Sequence, residues 1–130
     1  MTAVDTNVLI RILTNDDPNQ SKLTTAFMGR QDRVYLLKTV LVEIEWVLRS
    51  SYGFSRDAIA LGFRDLFRTP NLEVEDAAAA VKAIEWFEQG MDFADALHRA
   101  SVEGRAEFAT FDQALVQVAG KLGIGRVLSI

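Results

Sequence analysis

The stretch that decides the fold is Met1–Ile10, with the sequence MTAVDTNVLI. Its first residues are apolar and predict a short strand over Met1–Asp5, and Asn7–Thr14 predicts a helix that follows at once. Asp5 therefore falls at the carboxyl end of a strand, in apolar surroundings. A lone carboxylate is costly there unless it caps a helix, is paired, or binds a cation.

The same order of strand and helix recurs along the chain. Further strands are predicted at Val34–Leu37, Leu72–Val74, Glu107–Thr110 and Arg126–Leu128. A helix is predicted from Pro18 to about Gly29, a second from its Thr39 cap to about Tyr52, and a third from its Ser55 cap to about Arg68. Three more helices are predicted at Ala77–Gln89, capped by Asp76, at Phe93–Glu103, capped by Asp92, and at Gln113–Leu122. Because this alternation is typical of a parallel sheet covered by helices on both faces, and no linker interrupts it, we expect one α/β domain over residues 1–130. Ligands of such sheets bind outside the carboxyl ends of the strands.

Composition limits the chemistry. The 130 residues include no Cys and one His, so disulfides, thiolate metal sites and His clusters are excluded. Any metal must be held mainly by oxygen, which favours Mg²⁺ or Mn²⁺. No apolar run of about 18 residues is present, and we expect a cytoplasmic protein without a membrane partner. The net charge of −4 argues against binding nucleic acid by bulk charge alone.

Five acids fall at the predicted ends of strands or in the helix turns that follow: Asp5, Glu43, Asp92, Asp95 and Asp112. Glu43 differs from Glu45, which has Arg49 four residues later, a common surface pair on a helix. The helix neighbours of Glu43 are valines of the apolar stripe, with no cation among them. We therefore expect Glu43 on or beside the inward face, and a functional role is favoured over a purely helix-dipole role.

Asp92 and Asp95 point the same way from the first turn of a helix. Like charges so placed repel each other unless a cation lies between them. The structural alternative is that Asp92 caps the helix while Asp95 pairs with Arg99. Asp112 has the same alternative as a cap of the next helix, and the lone His98 is better explained by an ordinary hydrogen bond than by direct chemistry.

The acids form a stronger signal together than singly. Carboxylates from several strand ends can converge at one edge of a parallel sheet, where they would repel one another strongly without a metal ion. No Ser–His pair, Cys nucleophile, Gly-rich phosphate loop or dinucleotide fingerprint competes with this interpretation.

In order and spacing, the motifs resemble those of PIN-domain ribonucleases, specifically VapC-type toxins of bacterial type II toxin–antitoxin systems. The resembling segments are Val4–Leu9, Glu43 with Trp46–Leu48 just after it, Phe93–His98 and Thr110–Asp112. The resemblance runs along the whole chain. It implies a three-layer α/β/α PIN-like domain with a central, mainly parallel sheet of four to five strands.

The resemblance also implies an endoribonuclease that hydrolyses RNA phosphodiester bonds with Mg²⁺ or Mn²⁺ and no organic cofactor. The acids that it implies as catalytic and metal-binding residues are Asp5, Glu43, Asp95 and Asp112. Supporting polar residues are expected at Thr6, Asn7, Asp92 and Thr110.

Three kinds of partner follow from the resemblance: the RNA substrate, a cognate VapB-type antitoxin that inhibits the site, and a second copy in a homodimer. Local cations are the candidates for RNA contact: Arg11, Lys22, Arg30, Arg33, Lys38 and Arg49. Apolar residues that either form a partner surface or pack in the core are Trp46, Tyr52, Phe54, Phe63 and Phe67.

Other functions stay open from the residues alone. A Mg²⁺-dependent phosphatase or phosphotransferase could use Asp5 as its nucleophile, although such enzymes normally have a second Asp close after the first, where this chain has Thr6 and Asn7. A receiver-like signalling module would need paired acids at the first strand and a late Lys, and neither is evident. A non-catalytic partner-binding domain is a further alternative.

The charge itself points to a local site. Setting aside the five strand-end acids leaves 13 acids against 14 cations, a balance of +1. The acidity is therefore better explained as a property of one predicted site than of the whole surface, and the net charge does not exclude an RNA substrate.

Overall fold

A computed structural model describes all residues, 1–130. The elements in chain order are β1 (Thr2–Ala3), α1 (Thr6–Thr14), α2 (Pro18–Gly29), β2 (Val34–Leu36), α3 (Lys38–Ser50), α4 (Arg56–Phe67), β3 (Leu72–Val74), α5 (Ala77–Glu88), α6 (Phe93–Ser101), β4 (Phe108–Thr110), α7 (Gln113–Leu122) and β5 (Val127–Ser129). The chain divides into two compact units, Met1–Glu75 and Asp76–Ile130. We call them the first unit and the second unit and describe each by itself.

The first unit is built on a parallel sheet with the strand order β1-β2-β3. Thr2 pairs with Val34, and Val34 pairs with Leu72 on its other side. Val34 and Leu36 of the central strand are fully buried, as expected for a strand with neighbours on both edges. Helix α1 packs against α2 and α3, and the apolar stripe of α3 that begins at Leu41 and Ile44 lies in the core.

The second unit combines a packed pair of helices, α5 and α6, with two short parallel strands. Phe93 of α6 is fully buried and meets the ring of Phe87 edge-on, with 5.5 Å between the centroids. Strands β4 and β5 pair in the register Phe108 with Val127. Helix α7 ends at Gly123, whose φ of +71° is the left-handed conformation that glycine adopts most easily.

The α/β class and the parallel strand pairs are confirmed, whereas the single sheet of four to five strands is wrong. The chain forms a three-stranded sheet and a separate two-stranded sheet. Each strand has only two or three residues, so a strand offers few backbone hydrogen bonds for a further partner. The number of strands was predicted correctly from local sequence, but their grouping depends on pairing between distant segments.

Several helix starts differ from the predictions. The first strand stops at Ala3, because Asp5 already serves as the N-cap of α1. Thr39 does not cap α3, which begins at Lys38 without a side-chain cap from its own N-cap residue. The carboxylate of Glu75 instead accepts the Lys38 N–H at 2.8 Å. Asp76 occupies the N-cap position of α5 in the left-handed conformation and makes no side-chain capping bond.

None of the seven helices combines the length and the apolar character that crossing a bilayer requires.

Candidate functional site

Three of the five candidate acids are helix N-caps. Asp5, Asp92 and Asp112 each accept a hydrogen bond from the backbone N–H three residues later, at 3.3, 3.1 and 3.2 Å respectively. The capping role that sequence offered as the structural alternative is therefore real. It uses one oxygen of each carboxylate and places the acid at the positive end of a helix dipole. The other oxygen has no hydrogen-bond donor from the protein, so a cap can also act as a ligand.

Asp95 is the acid with the most perturbed environment in the second unit. It lies in the first turn of α6 and is half-buried, and only its backbone N–H is capped, by Asp92. Burial raises the pKa of the Asp95 carboxyl above its ordinary value, and the charges of Asp92 and Asp112 raise it further, while His98 acts in the opposite direction. We call Asp92, Asp95 and Asp112 the acid trio, in which the charges of Asp92 and Asp112 both repel that of Asp95.

The expected ion pair between Asp95 and Arg99 is wrong. The guanidinium of Arg99 is buried, donates to the Gly125 carbonyl at 2.9 Å, and pairs with Glu103 at 2.7 Å. It also lies 5.9 Å from the centre of the Trp86 ring. Arg99 thus ties α6 to the segment before β5, and the Asp95 carboxylate has no salt-bridge partner.

The remaining polar residues of the second unit have local roles. Thr110 accepts the Asp112 N–H on its hydroxyl at 2.9 Å, which orients the turn after β4. His98 is exposed and makes a ring contact with Phe108, with 6.1 Å between the centroids. The expected ordinary hydrogen bond is not formed by His98, and its effect on the trio is the electrostatic one on Asp95.

In the first unit, the structure reverses the predicted environments of the two glutamates on α3. Glu45 is 4% exposed and pairs with Arg49 at 2.8 Å, whereas Glu43 is exposed. The expectation that Glu43 faces inward is wrong because the buried stripe, which includes Ile44, is broad enough to include Glu45 beside it. The buried carboxylate of Glu45 is tolerated because it is paired with the guanidinium of Arg49. Glu43 is left accessible to solvent.

Asp5 and Glu43 belong to α1 and α3, which pack against each other. Asp5 is exposed beyond its cap. Of the expected supporting residues next to it, Thr6 is buried and Asn7 is exposed.

Some of the candidate RNA-binding cations are already engaged. Arg11 pairs with Asp16 at 3.0 Å, and Arg33 pairs with Glu73 at 3.4 Å. Arg49 holds the buried Glu45, as described above. Lys22 and Arg30 are exposed, as a contact to RNA would require.

The apolar candidates of α3 and α4 separate into core and surface. Phe63 is fully buried and stacks on Phe67 with 6.4 Å between the ring centroids. Trp46 is exposed, and so is Leu61, which the sequence analysis did not single out. Exposed apolar residues on a helix cannot be recognised without knowing which face the core covers, so no local signal would have found Leu61.

The structure contains no group of three or more His, Cys, Asp or Glu side chains in a metal-holding arrangement. The donor set of the acid trio nevertheless suits a hard cation, because it offers only carboxylate oxygens and no salt bridge neutralises Asp95. Carboxylate charge is of the sign that favours divalent cations and disfavours phosphate groups.

Comparison with known proteins gives one match. The family model described as PIN domain matches residues 2–121, which includes all five candidate acids. Neither the curated proteins nor the solved structures contain a match.

Proposed function

The chain belongs to the PIN domain family, and from that premise we propose that it is a metal-dependent endoribonuclease of the VapC toxin type. PIN domains are generally nucleases that use divalent metals, so membership of the family supports nuclease activity. The choice of RNA as substrate, and of a toxin controlled by a VapB-type antitoxin, is the finer part of the proposal. We also propose that residues 1–130 form a single domain and that the protein is cytoplasmic.

One observation supports the proposal: Asp95 is half-buried, lies near the like charges of Asp92 and Asp112, and has no salt-bridge partner. Arg99 has the right spacing to neutralise Asp95, but its guanidinium is bonded to Gly125 and Glu103 instead. Perturbed acids of this kind are typical of functional sites. A bound cation would convert their repulsion into binding energy.

We assign the catalytic and metal-binding roles to four acids, Asp5, Glu43, Asp95 and Asp112. Divalent ions held by such carboxylates would supply an activated water, neutralise the phosphate and stabilise the leaving oxygen. Asp5 and Asp112 are held in place by their capping bonds. Asp92 fixes the first turn of α6 beneath Asp95, and Thr110 fixes the backbone of Asp112. Thr6 and Asn7 support Asp5.

The partner surfaces are also proposals. Lys22 and Arg30 are the exposed cations best able to meet RNA phosphates. Trp46 and Leu61 supply exposed apolar area for the homodimer or the antitoxin. Light scattering of wild type and of Trp46→Ala tests the dimer: a wild-type monomer at high protein concentration contradicts it.

Cleavage of RNA by the purified chain tests the function. Total cellular RNA is incubated with Mg²⁺, with Mn²⁺ or with a chelator, and the cut ends are mapped by sequencing. We expect metal-dependent cuts at defined positions for wild type. Release of inorganic phosphate without internal cuts would instead support the phosphatase alternative.

A matched pair of variants separates chemistry from folding. Asp5→Asn keeps an N-cap of similar strength and removes the charge, so we expect loss of cleavage with the fold intact. Asp17→Asn is the control, because Asp17 caps α2 by the same kind of bond, at 3.1 Å to the Gln20 N–H, and lies outside all four motifs. Full activity of Asp5→Asn contradicts the assignment.

A further inference from the structure

Phe111 is a large aromatic residue directly exposed beside a candidate catalytic acid. Its side chain is part of the turn between β4 and α7, next to Asp112, and the residue is 77% exposed. It is the most exposed of the large hydrophobic residues. It therefore adds little to the core, and a polar residue would serve a turn better.

The backbone around Phe111 is fixed although its ring faces water. The Ile130 N–H donates to the Thr110 carbonyl at 3.0 Å, and the Asp112 N–H donates to the Thr110 hydroxyl at 2.9 Å. The side chain of Gln113 donates to the Phe111 carbonyl at 3.4 Å. Because the turn is already anchored, binding through this ring costs little additional backbone freedom.

We propose that Phe111 stacks on an unpaired RNA base beside the scissile phosphate and so helps to determine which sequence is cut. This inference rests on the proposed function and names how the same site holds its substrate. Unpaired RNA bases are commonly bound by stacking on aromatic side chains. Phe111 is thus a positioning residue that takes no part in the chemistry.

The charge around the turn favours a base over other occupants. The acid trio repels phosphate, so the uncharged face of a base is the part of an RNA that an adjacent side chain can bind without a cation. A flat aromatic ring matches that face.

Steady-state cleavage of a short single-stranded RNA, chosen from the sites that the wild type cuts, tests the role of the ring. For Phe111→Ala we expect kcat/KM to fall about five- to 150-fold, mostly through KM, the span given by base–aromatic stacking. Phe111→Leu should fall nearly as far, because it keeps the apolar bulk and loses the flat face, and Phe111→Trp should retain activity. Val81→Ala, another exposed apolar residue of the second unit, should match wild type.

An abasic scan of the same RNA identifies the stacked base. At one position beside the cut, removing the base should slow wild type and leave Phe111→Ala unaffected, so that the two proteins become equal. Equal losses for both proteins at every position would overturn the inference, as would wild-type kinetics for Phe111→Leu. If Phe111→Ala cleaved RNA with wild-type kinetics but no longer formed the homodimer, Phe111 would be a protein contact and the stacking role would be wrong.

The inference and the proposed function fail in different ways. If wild type cleaves RNA and Phe111→Ala cleaves it equally well, only the stacking role is wrong. If wild type cleaves no RNA with either metal, the proposed function is wrong and the stacking role falls with it.

Discussion

Replacing Asp95 with Asn should stabilise the metal-free protein, which is unusual for a half-buried polar residue. Asn has nearly the same shape and no charge, so it removes the repulsion from Asp92 and Asp112 and the cost of burying a charge. The N-cap of α6 is unaffected, because Asp92 bonds to the backbone N–H of residue 95. The carboxylate of Asp95 itself makes no hydrogen bond or salt bridge that would be lost.

The size of the effect follows from the two like-charged neighbours. Like charges three or four residues apart on one helix, as Asp92 and Asp95 are, cost about 0.2–0.5 kcal/mol, and a contribution of the same order is assigned to Asp112, the N-cap of α7. Two of them, with a small addition for partial burial, give about 0.5–1.5 kcal/mol after allowance for screening by solvent. In a chain of 130 residues, this corresponds to a rise in Tm of about 2–6 °C.

The effect should depend on pH in a defined direction. The pKa of Asp95 is higher in the folded state than the ordinary value of 3.8 for an aspartate carboxyl, so the folded state binds the proton more tightly. The destabilisation is therefore complete above the raised folded pKa and is relieved as the pH falls toward 3.8. The pKa of Asp16 is shifted in the opposite direction, because hydrogen bonds from Tyr52 and Thr14 lower it. Asp16 is the same in wild type and in Asp95→Asn, so its effect on stability cancels when the two proteins are compared.

Thermal unfolding in a chelator, from pH 7.5 to about pH 4, measures the difference. The variant should unfold at a higher temperature than wild type at neutral pH, and the gap should shrink on acidification. Added Mg²⁺ should stabilise wild type more than the variant. The Asp17→Asn control should show neither effect. The repulsion of Asp95 by its two neighbours is refuted if the variant has a lower Tm than wild type at neutral pH, or if the difference in Tm does not change with pH.

Four further substitutions test the assignments of core and site. Glu43→Gln should abolish metal-dependent RNA cleavage and change stability by less than about 0.5 kcal/mol, whereas Glu45→Gln should lower urea-unfolding stability by about 1 kcal/mol and keep activity; the reverse pattern would contradict both environments. Phe93→Ala should cost about 3–5 kcal/mol in the same urea titration, because a fully buried ring leaves a cavity; a cost below about 1 kcal/mol would mean that the ring is not in the core. Arg99→Met should cost about 1–3 kcal/mol, since it leaves a carbonyl unbonded, and amide hydrogen exchange should rise in β5; unchanged exchange there would contradict the tie between α6 and that strand.

Local sequence was sufficient where a local interaction decides the structure. The Pro18 start of α2, the Ser55 cap of α4 and the Gly123 end of α7 were predicted correctly, because each depends on residues within one turn. The capping acids Asp92 and Asp112 were found for the same reason.

Predictions failed where a distant residue competes for a local partner. Arg99 is correctly spaced for Asp95, but the Gly125 carbonyl, 26 residues away, takes its guanidinium. The Lys38 N–H is capped by Glu75, 37 residues away, so Thr39 was not needed as a cap. Spacing along one helix carries no information about such partners.

The two glutamates on α3 failed for a related reason. A carboxylate with a cation four residues later is typical of a surface, and the same pair is also what allows a carboxylate to be buried. The pattern of Glu45 and Arg49 therefore fits both environments, and the packing around the helix chose the buried one. The missing cation beside Glu43 indicates exposure to solvent as readily as a functional role.

Capping and metal binding were treated as alternatives in the sequence, but the geometry makes them compatible. A capping carboxylate is immobilised through one oxygen, so it offers the other with little loss of freedom. The helix dipole also favours a negative charge at the N-terminus of each helix. Asp95, which caps nothing, carries the unrelieved repulsion, so cation binding should depend on it most. Because the trio repels phosphate until that charge is neutralised, RNA affinity and divalent-cation affinity should be coupled, each strengthening the other by the same factor.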